Sequence, residues 1–141
     1  MEEIKKLTTQ AHWLAAFSVL KELRADLTEE LYLSLLQDMQ KDGYEMYALY
    51  SSEKIAAVIG FSWRTNFYNK RHVYVYDLVT AEDERSKGFG EKLLSYIEKL
   101  AIEGGASYIA LESGIQRLEA HRFYEDKLNF DKFCFSFRKE L

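Results

Sequence analysis

The chain has 141 residues, of which 48% are hydrophobic and 15% aromatic, with one cysteine and a formal charge of −4. That length and apolar content suit one globular domain with its own core and exclude an intrinsically disordered chain. The negative charge argues against general nucleic-acid binding, the lone Cys134 excludes a disulfide framework, and His12, His72 and His121 are too scattered for a zinc site. Met1-Glu2-Glu3 is acidic where a signal peptide is basic, and no apolar run approaches the ~20 residues of a membrane span, so a cytoplasmic protein is expected.

In chain order, Ile4 to Leu7 is at most a short edge strand. Thr8 or Thr9 is placed to cap a helix whose apolar residues Trp13, Leu14, Phe17, Val19, Leu20 and Leu23 recur at helical spacing. A second helix opens at Thr28-Glu29-Glu30-Leu31, close to a capping box, should bury Leu31, Leu35, Leu36 and Met39, and stops at Gly43. Arg24, Asp26, Glu29 and Glu30 read as a solvated corner between the two.

Tyr44 to Tyr50 and Ile55 to Trp63 form a hairpin across Ser51-Ser52-Glu53-Lys54, and Gly60 marks a bulge or a close approach of another backbone. A polar loop from Arg64 to Lys70 leads into a strand over 72–80. Trp63, Phe67 and Tyr68 beside it suit either packing or stacking on a cation.

The next stretch organises the rest. Arg85-Ser86-Lys87-Gly88-Phe89-Gly90 follows that strand and precedes a helix with apolar residues at 93, 94, 97, 100 and 101. Two glycines at a helix start leave the backbone bare, so N–H groups and the positive end of the helix dipole can face an anion, with Arg85 and Lys87 beside it. This is a phosphate site in pattern. The spacing fits neither a P-loop, G-x-x-x-x-G-K-S/T, nor the three-glycine dinucleotide fingerprint.

Gly104-Gly105 ends the helix, and Ser107 to Glu112 is another strand. Gln116 to Leu128 reads as a final helix with Asn129 as its C-cap, and Phe130 to Phe137 as a last strand with Phe133, Phe135 and Phe137 on one face. The order β-α-α-β-β-β-α-β-α-β gives an α/β fold with a mixed, mostly antiparallel central sheet flanked by helices on both faces. No repeat or linker divides 1–141, so a single domain is expected.

The segment 85–90 resembles motif A of the GNAT N-acetyltransferases, Arg/Gln-x-x-Gly-x-Gly/Ala, and the element order is similar to that of the family. A second match follows in Leu111-Glu112-Ser113-Gly114, Ala120-His121-Arg122-Phe123-Tyr124-Glu125 and Leu128-Asn129-Phe130, which resembles the family's C-terminal motif. The resemblance spans essentially the whole chain and is sharpest from Asp77 to Phe130. It implies the GNAT fold and acetyl-CoA as co-substrate, with its diphosphate on Arg85, Ser86, Lys87, Gly88, Phe89 and Gly90. It also implies pairing of the pantetheine arm with the backbone of Leu78, Val79 and Thr80, one of whose N–H groups faces the acyl oxygen. Arg117 and Tyr124 are the contacts expected from the last helix.

By position Tyr124 matches the tyrosine that protonates the departing thiolate in this family, and that role is preferred; read from the residues alone, it is a core tyrosine on the face of Ala120, Phe123 and Leu128. A thiol of pKa about 8.5 and a phenol of about 10 make that transfer only mildly uphill. An attacking alkylamine, mostly ammonium at neutral pH, needs a base. Asp77 at the end of the central strand is preferred over Glu112, Glu82 and Asp83, and an Asp that merely fixes the strand end is the competing reading. His121 lies one turn off the tyrosine's face. Three positions depart from the family: Glu82 stands where proline is common, in a chain with no proline at all; Ser86 replaces a frequent glycine; Gln116 and Arg117 replace a frequent asparagine.

The reading is an acetyl-CoA-dependent N-acetyltransferase that transfers the acetyl group directly to a primary amine of a small molecule or peptide, without a metal, a nucleic-acid partner or a membrane. Cys134, in an apolar run, is expected to be buried and inert rather than a nucleophile. The resemblance adds a homodimer as a partner expectation. A CoA-binding regulatory module without turnover is the alternative, and a nucleotide-binding protein of another fold a weaker one.

Overall fold

The computed structural model describes residues 1–141, which form two compact units, 1–110 and 111–141. The first is built on β1 (Glu2–Leu7), β2 (Glu45–Ser51), β3 (Lys54–Asn66) and β4 (Lys70–Thr80), neighbours in successive antiparallel pairs. A crossover through α3 (Phe89–Glu103) brings β5 (Tyr108–Leu111) beside β4, which makes the sheet mixed, in the order β1-β2-β3-β4-β5. Ser52 (φ 52) and Glu53 (φ 67) turn the β2–β3 hairpin, the paired positive φ values matching the right-handed twist of the strands.

α1 (Gln10–Leu23) starts at Thr9, whose side chain accepts the His12 N–H, and α2 (Glu29–Lys41) starts at Thr28, which accepts the Leu31 N–H. Both satisfy an orphan donor of the first turn. One face of the sheet, with Leu7, Met46, Ala48, Val58 and Val79, packs with Ala16, Val19 and Leu20 of α1 and Tyr32 and Leu36 of α2. Across the other face, Tyr47 stacks on Phe61 and meets Tyr96 of α3. Ala56 to Phe61 are buried without a break, as a strand covered on both sides requires. No helix is long and apolar enough to cross a membrane.

α2 is rotated from the face expected of its leucines. Leu31 and Leu35 are exposed, at 47% and 44%, while Tyr32 and Leu36 are buried and Met39 is partly so. Tyr32 can point inward because its hydroxyl donates to the Trp13 carbonyl at 2.7 Å, which removes the penalty of burying it. Gly60 does mark a bulge, at Gly60/Phe61 opposite Asp77; what approaches it is the Tyr44 phenol, which fills the space a Cβ would take.

In the second unit the helix begins two residues later than Gln116, as α4 (Leu118–Arg122), and widens into a π turn, Phe123–Lys127, closed by the Leu128 N–H on the Phe123 carbonyl. Asn129 takes a left-handed φ of 61°, the expected cap. The expected last strand is absent. Residues 130–137 carry no ladder, Phe133, Phe135 and Phe137 are 70%, 75% and 90% exposed, and Cys134 is exposed instead of buried. Alternating phenylalanines supply a strand's side chains, yet a strand forms only where a neighbour takes its backbone donors and acceptors.

Candidate active site

β4 leads directly into the loop. Ala81 is held by its N–H on the Ala56 carbonyl, a 3-10 turn spans Glu82–Glu84, and Arg85 to Gly88 carry the chain to α3. The two glycines are needed for different reasons. Gly88 is the N-cap of α3 at φ +81°, which a side chain resists, whereas a Cβ on Gly90 would come within 3.2 Å of Thr80 Oγ1. Ser86 also adopts a positive φ, 67°, which explains why glycine is a frequent alternative there.

The first helical bond is Lys92 N–H to the Gly88 carbonyl, so the Phe89 and Gly90 N–H groups have no intrahelical acceptor. Phe89 is 4% exposed and, with Leu93, Leu94 and Ile97, fixes that helix start to the core. The bare backbone is therefore held rigidly while Ser86 and Lys87 are exposed to solvent. Both cations of the loop have carboxylate partners. Lys87 meets Glu84 at 2.8 Å, which raises its pKa, and Arg85 lies 3.6 Å from Glu22 of α1.

Leu78, Val79 and Thr80 pair with Ile59, Val58 and Ala57 of β3 on one side. β5 follows Ser107, whose N–H donates to the Arg71 carbonyl, and its four residues at ~3.3 Å each do not reach the opposite edge of Leu78 to Thr80. Asp77, with a side chain 14% exposed, accepts two guanidinium N–H bonds from Arg24 on Oδ1, at 2.8 and 3.0 Å, and Arg24 also reaches the Tyr76 carbonyl. Burial, with the Asp77 charge second, pushes the Tyr44 phenol well above its ordinary pKa, and the same pair of causes raises Tyr32. Glu82 and Asp83 are exposed, Asp83 facing Lys54 at 3.5 Å, and Glu112 is exposed.

In the second unit Tyr124 lies within the π turn, half-buried between Phe123 and Phe130, with ring centroids at 5.4 and 5.7 Å. Burial raises its pKa, and the Arg117 charge opposes that. The phenol is thus kept as a proton carrier at neutral pH. His121 is partly buried, with Nε2 2.8 Å from the Gly114 carbonyl and Nδ1 unpartnered. Reading the sequence missed Glu22 altogether and took Arg24 for a solvated residue. Neither has a signal in local spacing, since each finds its partner more than fifty positions away.

The family profile described as the acetyltransferase (GNAT) family matches residues 9–130. The chain belongs to the GNAT acetyltransferase family. Over 142 aligned residues, covering all of both chains, it is 39% identical to the uncharacterized N-acetyltransferase YhdJ of Bacillus subtilis (strain 168). Among solved structures it superposes on a transcriptional regulator from Bacillus halodurans C-125 with a TM-score of 0.84 at 19% identity, covering all of both chains. Aminoglycoside N-acetyltransferase AAC(6')-Iy in complex with CoA gives the same score at 14% identity, over 100% of this chain and 96% of that one. At those identities the two structures establish the GNAT fold, with its mixed sheet. Acetyl-CoA is the co-substrate that the family implies, and the glycine cradle at 88–90 has the open backbone such a diphosphate needs.

Proposed function

We propose that this GNAT enzyme transfers an acetyl group from acetyl-CoA directly to a primary amine, with 1–141 acting as one catalytic domain. The observation that carries the reading is the bare turn between β4 and α3, left-handed at Gly88, closed to side chains at Gly90 and joined to a strand edge at Leu78 to Thr80. A nucleotide triphosphate site would need a Gly-Lys pair followed by a metal-holding Ser or Thr, which this turn lacks.

The residues divide the work as follows. N–H groups of Phe89 and Gly90, with Arg85, Ser86, Lys87 and Gly88, hold the diphosphate, and Arg117 contributes from the last helix. The backbone of Leu78, Val79 and Thr80 orients the pantetheine arm as an added strand and offers one N–H to the developing charge on the acyl oxygen. Acetyl-CoA, when bound, supplies an acyl group activated as a thioester. Asp77 takes the amine's proton, relayed by a water, onto Oδ2, because Arg24 engages Oδ1. Tyr124 gives its phenolic proton to the departing thiolate, and burial keeps that proton in place at neutral pH.

The acceptor is a cationic amine, in keeping with the net charge of −4. The enzyme is cytoplasmic in this reading and pairs with a second copy through the exposed phenylalanines of 133–137; sedimentation at micromolar concentration, with Phe135→Ser as the monomeric control, tests that pairing. The enzymatic reading is tested by following thiol release from acetyl-CoA over a panel of primary amines, alongside thermal shifts with acetyl-CoA and ATP. Acetyl-CoA should raise the melting temperature, ATP should not, and at least one amine should release thiol in equal amount to acetylated product. Stabilisation by acetyl-CoA with no acetylation across the panel would support the non-catalytic module instead.

A further inference from the structure

The chain has no proline to set the turn from β4 into the diphosphate loop, so something else must fix it. The 3-10 turn Glu82–Glu84 has no side-chain cap of its own; its N-cap is Ala81. The acceptor comes from α1. Glu22 Oε1 takes the Glu82 N–H at 2.8 Å and lies 3.6 Å from Arg85 Nη2, so one carboxylate oxygen touches both the first residue of the turn and the first cation of the loop. Its side chain is 28% exposed, against 58% for Arg85.

Two residues further on, Arg24 at the C-cap of α1 holds the Asp77 carboxylate and the Tyr76 carbonyl. The last turn of α1 thus grips the chain at both ends of the span 77–85. That span contains the strand edge offered to pantetheine and the approach to the diphosphate cradle.

We propose that Glu22 is a positioning residue for acetyl-CoA binding: by capping the Glu82 N–H, its carboxylate does what a turn proline would do and fixes the path from β4 into the loop. This rests on the acetyl-CoA reading of the loop. Glu22 acts through the loop and touches no part of the cofactor. Its removal therefore weakens the ligand only where the ligand carries a diphosphate. A carboxylate near a phosphate site would otherwise repel it, so the benefit of Glu22 is geometric and its charge is dispensable.

The test uses the full chain as wild type, Glu22→Gln, Glu22→Ala and the double variant Glu22→Ala/Glu82→Pro. Calorimetric titrations with CoA and with pantetheine are paired with hydrogen exchange at the Glu82 amide without ligand. Glu22→Ala should speed that exchange about tenfold and weaken CoA about fivefold while leaving pantetheine, which has no diphosphate, unchanged. Glu22→Gln keeps an Oε1 acceptor and should keep the amide slow and CoA within about twofold. Proline at 82 needs no acceptor and fixes φ for a first helical position, so the double variant should recover CoA binding even if Glu22→Ala alone is too unstable to titrate. CoA binding by Glu22→Ala equal to wild type, equal weakening of CoA and pantetheine, or no recovery by proline would each overturn the proposal. Wild type that binds no CoA would remove the loop's assignment as well, and fast Glu82 exchange in Glu22→Ala would then still report the brace on its own.

Discussion

The two units of this acetyltransferase differ in what holds them. Every fully buried apolar side chain, from Leu7 to Ala101, lies in residues 1–110, whereas residues 111–141 contain none and end in eleven exposed positions, 131–141. The first unit carries the glycine turn proposed to hold the diphosphate on a rigid core, and the second carries the proposed acid on a short helix with a π turn. The core and the proposed acid are therefore separable by position: substitutions in the first unit's core should lower stability, and substitutions at Tyr124 should lower turnover.

The sharpest way to break that contrast is at Gly60, deep in β3. Gly60→Ala places a methyl group where the Tyr44 phenol sits, so equilibrium denaturation should show a loss of about 3 kcal/mol; a change below about 1 would mean the β2–β3 packing yields easily. On the other side of the comparison, Tyr124→Phe should lower kcat on a confirmed amine about a hundredfold with an unchanged melting temperature. Full activity in that variant would end its role as acid, and a lowered melting temperature would make it a core residue.

The next effect is on pH. Tyr44 and Tyr32 are neutral phenols held above their unfolded pKa of about 10 by burial, so their contribution is fully present below pH 10 and is lost as pH rises toward the folded values. Stability should fall above pH 10 by up to about 1.4 kcal/mol per pH unit for each such group, and Tyr44→Phe should flatten that slope, read by urea midpoints between pH 9 and 11. The smallest effect lies in the loop. Ser86→Gly relieves a positive φ at some cost in chain entropy, and a gain in stability of about 0.5 kcal/mol is expected from urea midpoints at neutral pH.

What could be read in advance follows the range of the interactions. Thr9 and Thr28 as caps, the left-handed Asn129, the hairpin at 52–53 and the glycine turn at 88–90 are all decided within a few residues, and each appears where its pattern places it. The rotation of α2 was not legible. Leu31, Leu35 and Leu36 offer two overlapping apolar rows, and the choice falls to a long-range bond from Tyr32 to the Trp13 carbonyl. The same holds for 130–137, whose alternation is a real strand pattern with no neighbouring ladder, and for Cys134, whose expected burial depended on it. At the candidate site the glycine turn was legible and its support was not, because Glu22 and Arg24 reach partners 60 and 53 residues away.

The placement of the two tryptophans has a practical use. Trp13 sits on the α1 side of the sheet with its indole N–H on the Leu7 carbonyl, while Trp63 lies against Gly104 at the end of α3, under the Arg71 guanidinium. Each side of the sheet thus holds one intrinsic fluorophore, one beside a neutral carbonyl and the other beside a cation. Single-tryptophan variants would report separately on the two layers during folding, with no label added.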